Sequence, residues 1–138
     1  MRHLIPTFAC AILLSGCSQQ KIIGPRDLRS QLTAAISLAS QTETFLDCAT
    51  QHRSTTNFAA GHIAYLSQTA ADDAKDLHQS TPTYSIKQQL SQSQQQLDAL
   101  ASQLAALQQE VAVGQTPAAA KEQFAELRHS LEQIKASL

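Results

Sequence analysis

Apolar residues recur at alternating steps of four and three along most of this chain. Leu28, Leu32, Ala35, Ala39, Thr42, Leu46 and Ala49 follow that rhythm, which places them on one side of a helix. Ala59, Ile63, Leu66, Ala70, Ala74 and Leu77 mark one side of a second helix. A third series, Ile86, Leu90, Ser93, Leu97, Leu100, Leu104, Leu107 and Val111, keeps the spacing over nearly four heptads. Every glutamine between positions 88 and 109 falls outside that seam, so the Gln-rich stretch reads as a solvated helix face rather than low-complexity sequence. Phe124, Leu127, Leu131, Ile134 and Leu138 complete the set.

Helix-breaking and capping residues separate these seams. Pro25 suits a first helical turn, where its missing N–H costs nothing. Arg53-Ser54-Thr55-Thr56-Asn57 offers N-caps and little helix propensity. Ser80-Thr81-Pro82 supplies a capping hydroxyl followed by a proline for the first turn of the third helix. Gly114 suits the position after a helix end, and Thr116-Pro117 starts the last helix. Helices are expected over 25–51, 56–79, 82–113 and 117–138, with no convincing strand. The fold class is therefore all-α: four antiparallel amphipathic helices in an up-down bundle with coiled-coil-like hairpins. An elongated hairpin that completes its core by dimerising is the rival arrangement. Gly61, flanked by Ala60 and Ala64, suggests close approach of another helix. Four helices bring Leu138 back to the end where the bundle starts. The turns around Arg53 and Gly114 then lie at the far end, where a partner is expected to touch.

Charge narrows the function classes. The chain has 10 Lys and Arg against 11 Asp and Glu, scattered along its length, which leaves no basic face for nucleic acid. It has no Gly-x-Ser-x-Gly, phosphate-binding Gly loop, dinucleotide fingerprint or Cys-x-x-Cys-His. Glu126-Leu127-Arg128-His129 has the Glu-x-x-His spacing of di-iron bundles, but Leu127 and Leu131 define the core seam and turn Glu126 and His129 outward. His52, His62, His78 and His129 are never three or four residues apart, so no metal site is expected. No catalytic residue and no cofactor is assigned.

Two weaker features remain. Asp72, Asp73 and Asp76 cluster, and Asp73 falls inside the apolar stripe of the second helix, near Thr69 and His62 in azimuth. Thr69 and Ser93 lie about equally far from the Ser80-Thr81 turn, at 1.5 Å per residue. Thr69, Ser93, Asp73 and His62 are therefore expected to form a polar layer in the core that fixes register, or else lines a small-ligand pocket. Cys48 lies at the flank of the first seam. It is expected either as a buried thiol or as an intermolecular disulfide between protomers.

The start of the chain carries its clearest address. Arg2 precedes an apolar run from Leu4 to Leu14, too short to span a bilayer, and Leu14-Ser15-Gly16-Cys17 follows. This resembles a bacterial lipoprotein signal peptide with its lipobox. The resemblance implies cleavage after Gly16, a diacylglyceryl group on the Cys17 thiol and acylation of the new amine. Residues 1–16, with Cys10, would depart, leaving about 120 residues for one modest domain. Residues 17–24 would form the lipidated cysteine and a tether reaching about 25 Å at most. By resemblance to Gram-negative lipoproteins, Ser18 in place of aspartate implies the outer membrane, facing the periplasm. The function expected is that of a membrane-anchored, non-catalytic binding, bridging or scaffolding protein with a protein partner or a second copy. A small-ligand- or metal-binding bundle is the alternative, and an enzyme the third.

Overall fold

The structure, a computed structural model, describes residues 21–51, 53–115 and 119–138. The signal peptide, Cys17, the tether up to residue 20, His52 and Thr116-Pro117 lie outside the described residues. In chain order the elements are strand β1 (Lys21–Ile23), helix α1 (Pro25–Thr50), helix α2 (Thr56–His78), strand β2 (Ser80–Pro82), a 3-10 turn at Tyr84–Ile86, helix α3 (Lys87–Ala112) and helix α4 (Ala120–Ala136). Among the described residues the protein is an all-α, four-helix up-down bundle with one small two-stranded sheet at its end.

The seams explain the packing. All the named apolar positions of the second and third series are buried, as are Leu28, Leu32, Ala35, Ala39, Leu46, Phe124, Leu127 and Leu131. Leu38 and Phe45 widen the stripe of α1 beyond a strict heptad seam. Among the described residues the core is mostly leucine and alanine, with Ile23, Ile63, Ile86 and Val111 among them and Phe45 and Phe124 as the buried aromatics. The helices do not share their surfaces evenly. α2 packs most fully on α3, and α1 on α4, whereas consecutive α1 and α2 touch sparingly. Ion pairs join the α1–α4 pair: Lys121 Nζ lies 2.6 Å from Asp47, and Arg128 Nε lies 2.7 Å from Glu43. Its hydrogen bond to Glu43, seconded by one to Glu132, pushes the Arg128 guanidinium above its ordinary range.

Local chemistry sets the ends. Pro25 occupies the first turn of α1, and the Gly24 N–H donates to the Asp27 carboxylate at 3.5 Å. Thr55 caps α2 by accepting from the Phe58 N–H. Gly114, at φ +77°, closes α3. Its N–H donates to Val111 O and the Gln115 N–H to Glu110 O, the paired bonds of a Schellman turn.

Three expectations are corrected. The first concerns the tether, whose last residues belong to the fold. Lys21, Ile22 and Ile23 pair in parallel with Ser80, Thr81 and Pro82, and Ile23 is 0% exposed. Secondly, Pro82 does not start α3. It holds the third position of β2, the Thr83 N–H donates to Ile23 O, and the helix begins at Lys87. A proline disfavours helical geometry in the residue before it, so Thr81 stays extended and available for pairing. The third is Gly61, which is exposed, and a methyl group there would meet nothing within 4 Å. No helix approaches it closely. Gly61→Ala is therefore expected to stabilise the fold by about 1 kcal/mol, through helix propensity alone. A thermal melt showing a Tm unchanged or lowered would contradict this.

Candidate functional site

α1 and α2 touch sparingly, and an open cleft of about 490 Å³ lies between them beside their connecting turn. Its α1 wall runs from Ser37 through Ser40, Gln41 and Thr44 to Cys48, a rise of about 16 Å along the helix. These are small or polar side chains, and they leave room beside the helix. The opposite wall is α2, where Phe58 and His62 stand one turn apart. Arg53 and Ser54 of the turn line the distal end.

Aromatic rings line the interior. His62 stacks on Phe58 with centroids 5.8 Å apart and planes within 6°. The same imidazole meets Phe45 at 5.4 Å in a tilted arrangement. Phe45 belongs to the core, but Phe58 is 63% exposed. The Thr55 cap sets the first turn of α2 and thereby places Phe58 at the cleft rim. An exposed aromatic beside a concave, partly apolar surface is the usual chemistry of a contact site. No ion pair to Arg53 occurs among the described residues, so its guanidinium offers the mouth of the cleft a positive charge. Cys48 is exposed and free on the α1 wall.

The other expected site residues do not assemble. Ser93 is fully buried and Thr69 half-buried. Each hydroxyl donates within its own helix, Ser93 Oγ to Gln89 O at 2.7 Å and Thr69 Oγ1 to Tyr65 O at 2.9 Å. Gln94 Nε2 donates to Leu77 O, and His78 Nε2 lies 2.9 Å from Asp98. That register sets Ser93 beside the end of α2, about 13 Å along the axis from Thr69. The expected polar layer of Thr69, Ser93, Asp73 and His62 is thus a misregistration. It assumed that α3 starts at Pro82, whereas residues 80–86 are spent on β2 and a 3-10 turn. His62 belongs to the cleft instead. The buried polar residue missed on α2 is Ser67.

Asp73 is half-buried, and desolvation, then the charges of Asp76 and Asp72, push its carboxyl above the usual range. A carboxyl raised on folding makes ionisation costly to the native state. Stability is unaffected well below the unfolded value of about 3.9, falls as pH rises through the folded value, and stays lowered above it. Asp73→Asn is expected to raise Tm at neutral pH and to converge with the parent near pH 3. Parallel melting curves across pH would refute the assignment.

Glu126 and His129 project outward, and His129 meets Gln133 and Glu132 on its own helix. Among the described residues no group of three or more His, Cys, Asp or Glu is placed to hold a metal ion. No described helix is long and apolar enough to cross a membrane. Compared with protein-family models, with curated proteins and with solved structures, the chain matches none.

Proposed function

We propose that the mature chain is a lipid-anchored bundle of the cell envelope, held at the outer membrane facing the periplasm, which binds and bridges rather than catalyses. The lipobox supports the anchor, and the α1–α2 cleft carries the binding role. The occupant best suited to it is a segment of a partner protein that presents apolar side chains and an acidic group. The rim phenylalanine is too exposed for a small molecule to be largely enclosed, as such ligands usually are, whereas a peptide or helix would cover it. The acidic group would meet Arg53. The cleft lies toward the α1–α2 turn, the end away from the N-terminus, so an anchored bundle would present it to the compartment rather than to the bilayer.

Cys48 is a built-in reporter of occupancy. Alkylation of this thiol in intact cells is expected to be markedly slower than in the purified protein. Phe58→Ser and Arg53→Glu should restore fast labelling, and Gln96→Ala on α3 should not. Equal rates in cells and in solution would sink the cleft reading. Native mass spectrometry in reducing and non-reducing buffer separates the alternatives. A Cys48-linked dimer would make the occupant a second copy, and a monomer with unexplained extra mass would favour the small-ligand reading.

A further inference from the structure

The opposite end of the bundle has the makings of a second contact surface. The parallel pair β1–β2, the 3-10 turn, the first turns of α1 and α3 and the last turns of α2 and α4 all meet there. Two large apolar side chains are left in solvent at this end, Ile22 at 72% and Tyr84 at 99% exposed. Ile22 is the outward residue of a strand whose neighbour Ile23 is fully buried, so strand alternation aims it away from the core. Around them stand Lys21, Arg26, Arg29 and Lys87, all exposed, with Lys75 and Lys135 one turn or less from their helix ends. The carboxylates at this end are Asp27 and Asp76, with Asp98 held by His78 and Glu132 by Arg128 close by, so the six cations still outnumber them. The far end has the reverse balance, with Asp47, Glu110 and Glu122 against Arg53 and a Lys121 already paired to Asp47.

From this polarity we infer that the β1–β2 end is a docking face for an anionic phospholipid surface, with Ile22 and Tyr84 entering the headgroup region and the surrounding cations meeting lipid phosphates. This rests on the lipid-anchor reading in one respect, the distance available. Because Lys21 already belongs to the fold, Ser18, Gln19 and Gln20 are the residues between it and Cys17, a reach of at most about 14 Å rather than the 25 Å of the longer tether. So short a leash holds this end within the reach of the surface potential, which decays over about 10 Å at 0.1 M salt. An apolar residue flanked by cations is the usual composition of an interfacial contact, and tyrosine is at home at headgroup depth. Docking would fix the bundle upright and aim the α1–α2 cleft away from the bilayer.

The chain contains no tryptophan, so one indole is a clean probe. The full chain, processed in a bacterial host, would carry Tyr84→Trp or, at the opposite end, Phe58→Trp. Each would be reconstituted in phosphatidylglycerol-containing vesicles whose acyl chains are brominated. The expected result is a blue-shifted, bromine-quenched emission from position 84 and none from position 58. Adding Lys21→Glu and Lys87→Glu to Tyr84→Trp, raising salt, or using phosphatidylcholine alone should each weaken the quenching. Unquenched emission at position 84, or equal quenching at both ends, would overturn the docking face. The mass of the N-terminal peptide tests the anchor separately. Quenching at position 84 without lipid on Cys17 would support the face and end the anchor reading, while lipid on Cys17 without quenching would do the opposite.

Discussion

Phe124→Ala is expected to destabilise the bundle by about 3–5 kcal/mol, the usual cost of removing a buried phenylalanine. For a domain of this size that lowers Tm by roughly 10–25 °C. Phe124 is 1% exposed and sits on α4 where that helix packs against both α1 and α3. Leucine and alanine dominate the surrounding core, and they are poorly able to refill the volume of a lost ring. α4 is also the shortest helix, so it depends heavily on its few large side chains. Phe58→Ala is the matched control. That ring is mostly in solvent, and its loss should change stability by less than about 1 kcal/mol, as surface changes generally do. Melting curves of the two variants, side by side, decide the matter. Equal shifts would mean that α4 is not docked as described.

Cys17→Ser is expected to abolish lipidation outright and with it the processed, membrane-bound form. Each methylene of an acyl chain buried in the bilayer contributes about 0.8 kcal/mol, so two or three chains make a durable anchor. Serine cannot form the thioether through which the proposed diacylglyceryl group would be attached. The uncut precursor would keep residues 1–16 and gain mass at its N-terminus relative to the mature form. Metabolic labelling with a radioactive fatty acid, followed by intact-mass analysis, reads both changes. Label retained in the Cys17→Ser protein would remove the lipobox from consideration.

The helical seams were legible because burial in a bundle writes itself into a repeat of about 3.6 residues. Leu90 through Val111 needed no further information, and neither did the Schellman glycine at 114 or the Thr55 cap. Pairing was less legible. Nothing in a seam says that α2 will prefer α3 while α1 prefers α4, and the cleft is the space left by that preference. Phe58 carried no signal, since an aromatic in the first turn of a helix reads as a core candidate until its neighbours are known. The short strands failed for another reason. Three residues are too few to display alternation, and Pro82 resembles a helix start unless the partner strand is in view. That local misreading shifted the start of α3, and the register between Thr69 and Ser93 went with it.

The β1–β2 pair has a mechanical consequence. Ile23 and its neighbours are the point at which any tension on the N-terminus would reach the folded domain. Three paired positions and the Thr83-to-Ile23 hydrogen bond would pass that load to the crossover between α2 and α3 before α1 began to unwind. Pulled along their length, parallel strands resist in shear, with their hydrogen bonds strained together rather than opened one by one. A bundle tugged at its N-terminus would therefore be gripped across its middle helices, leaving α1 and its half of the cleft outside the path of the force.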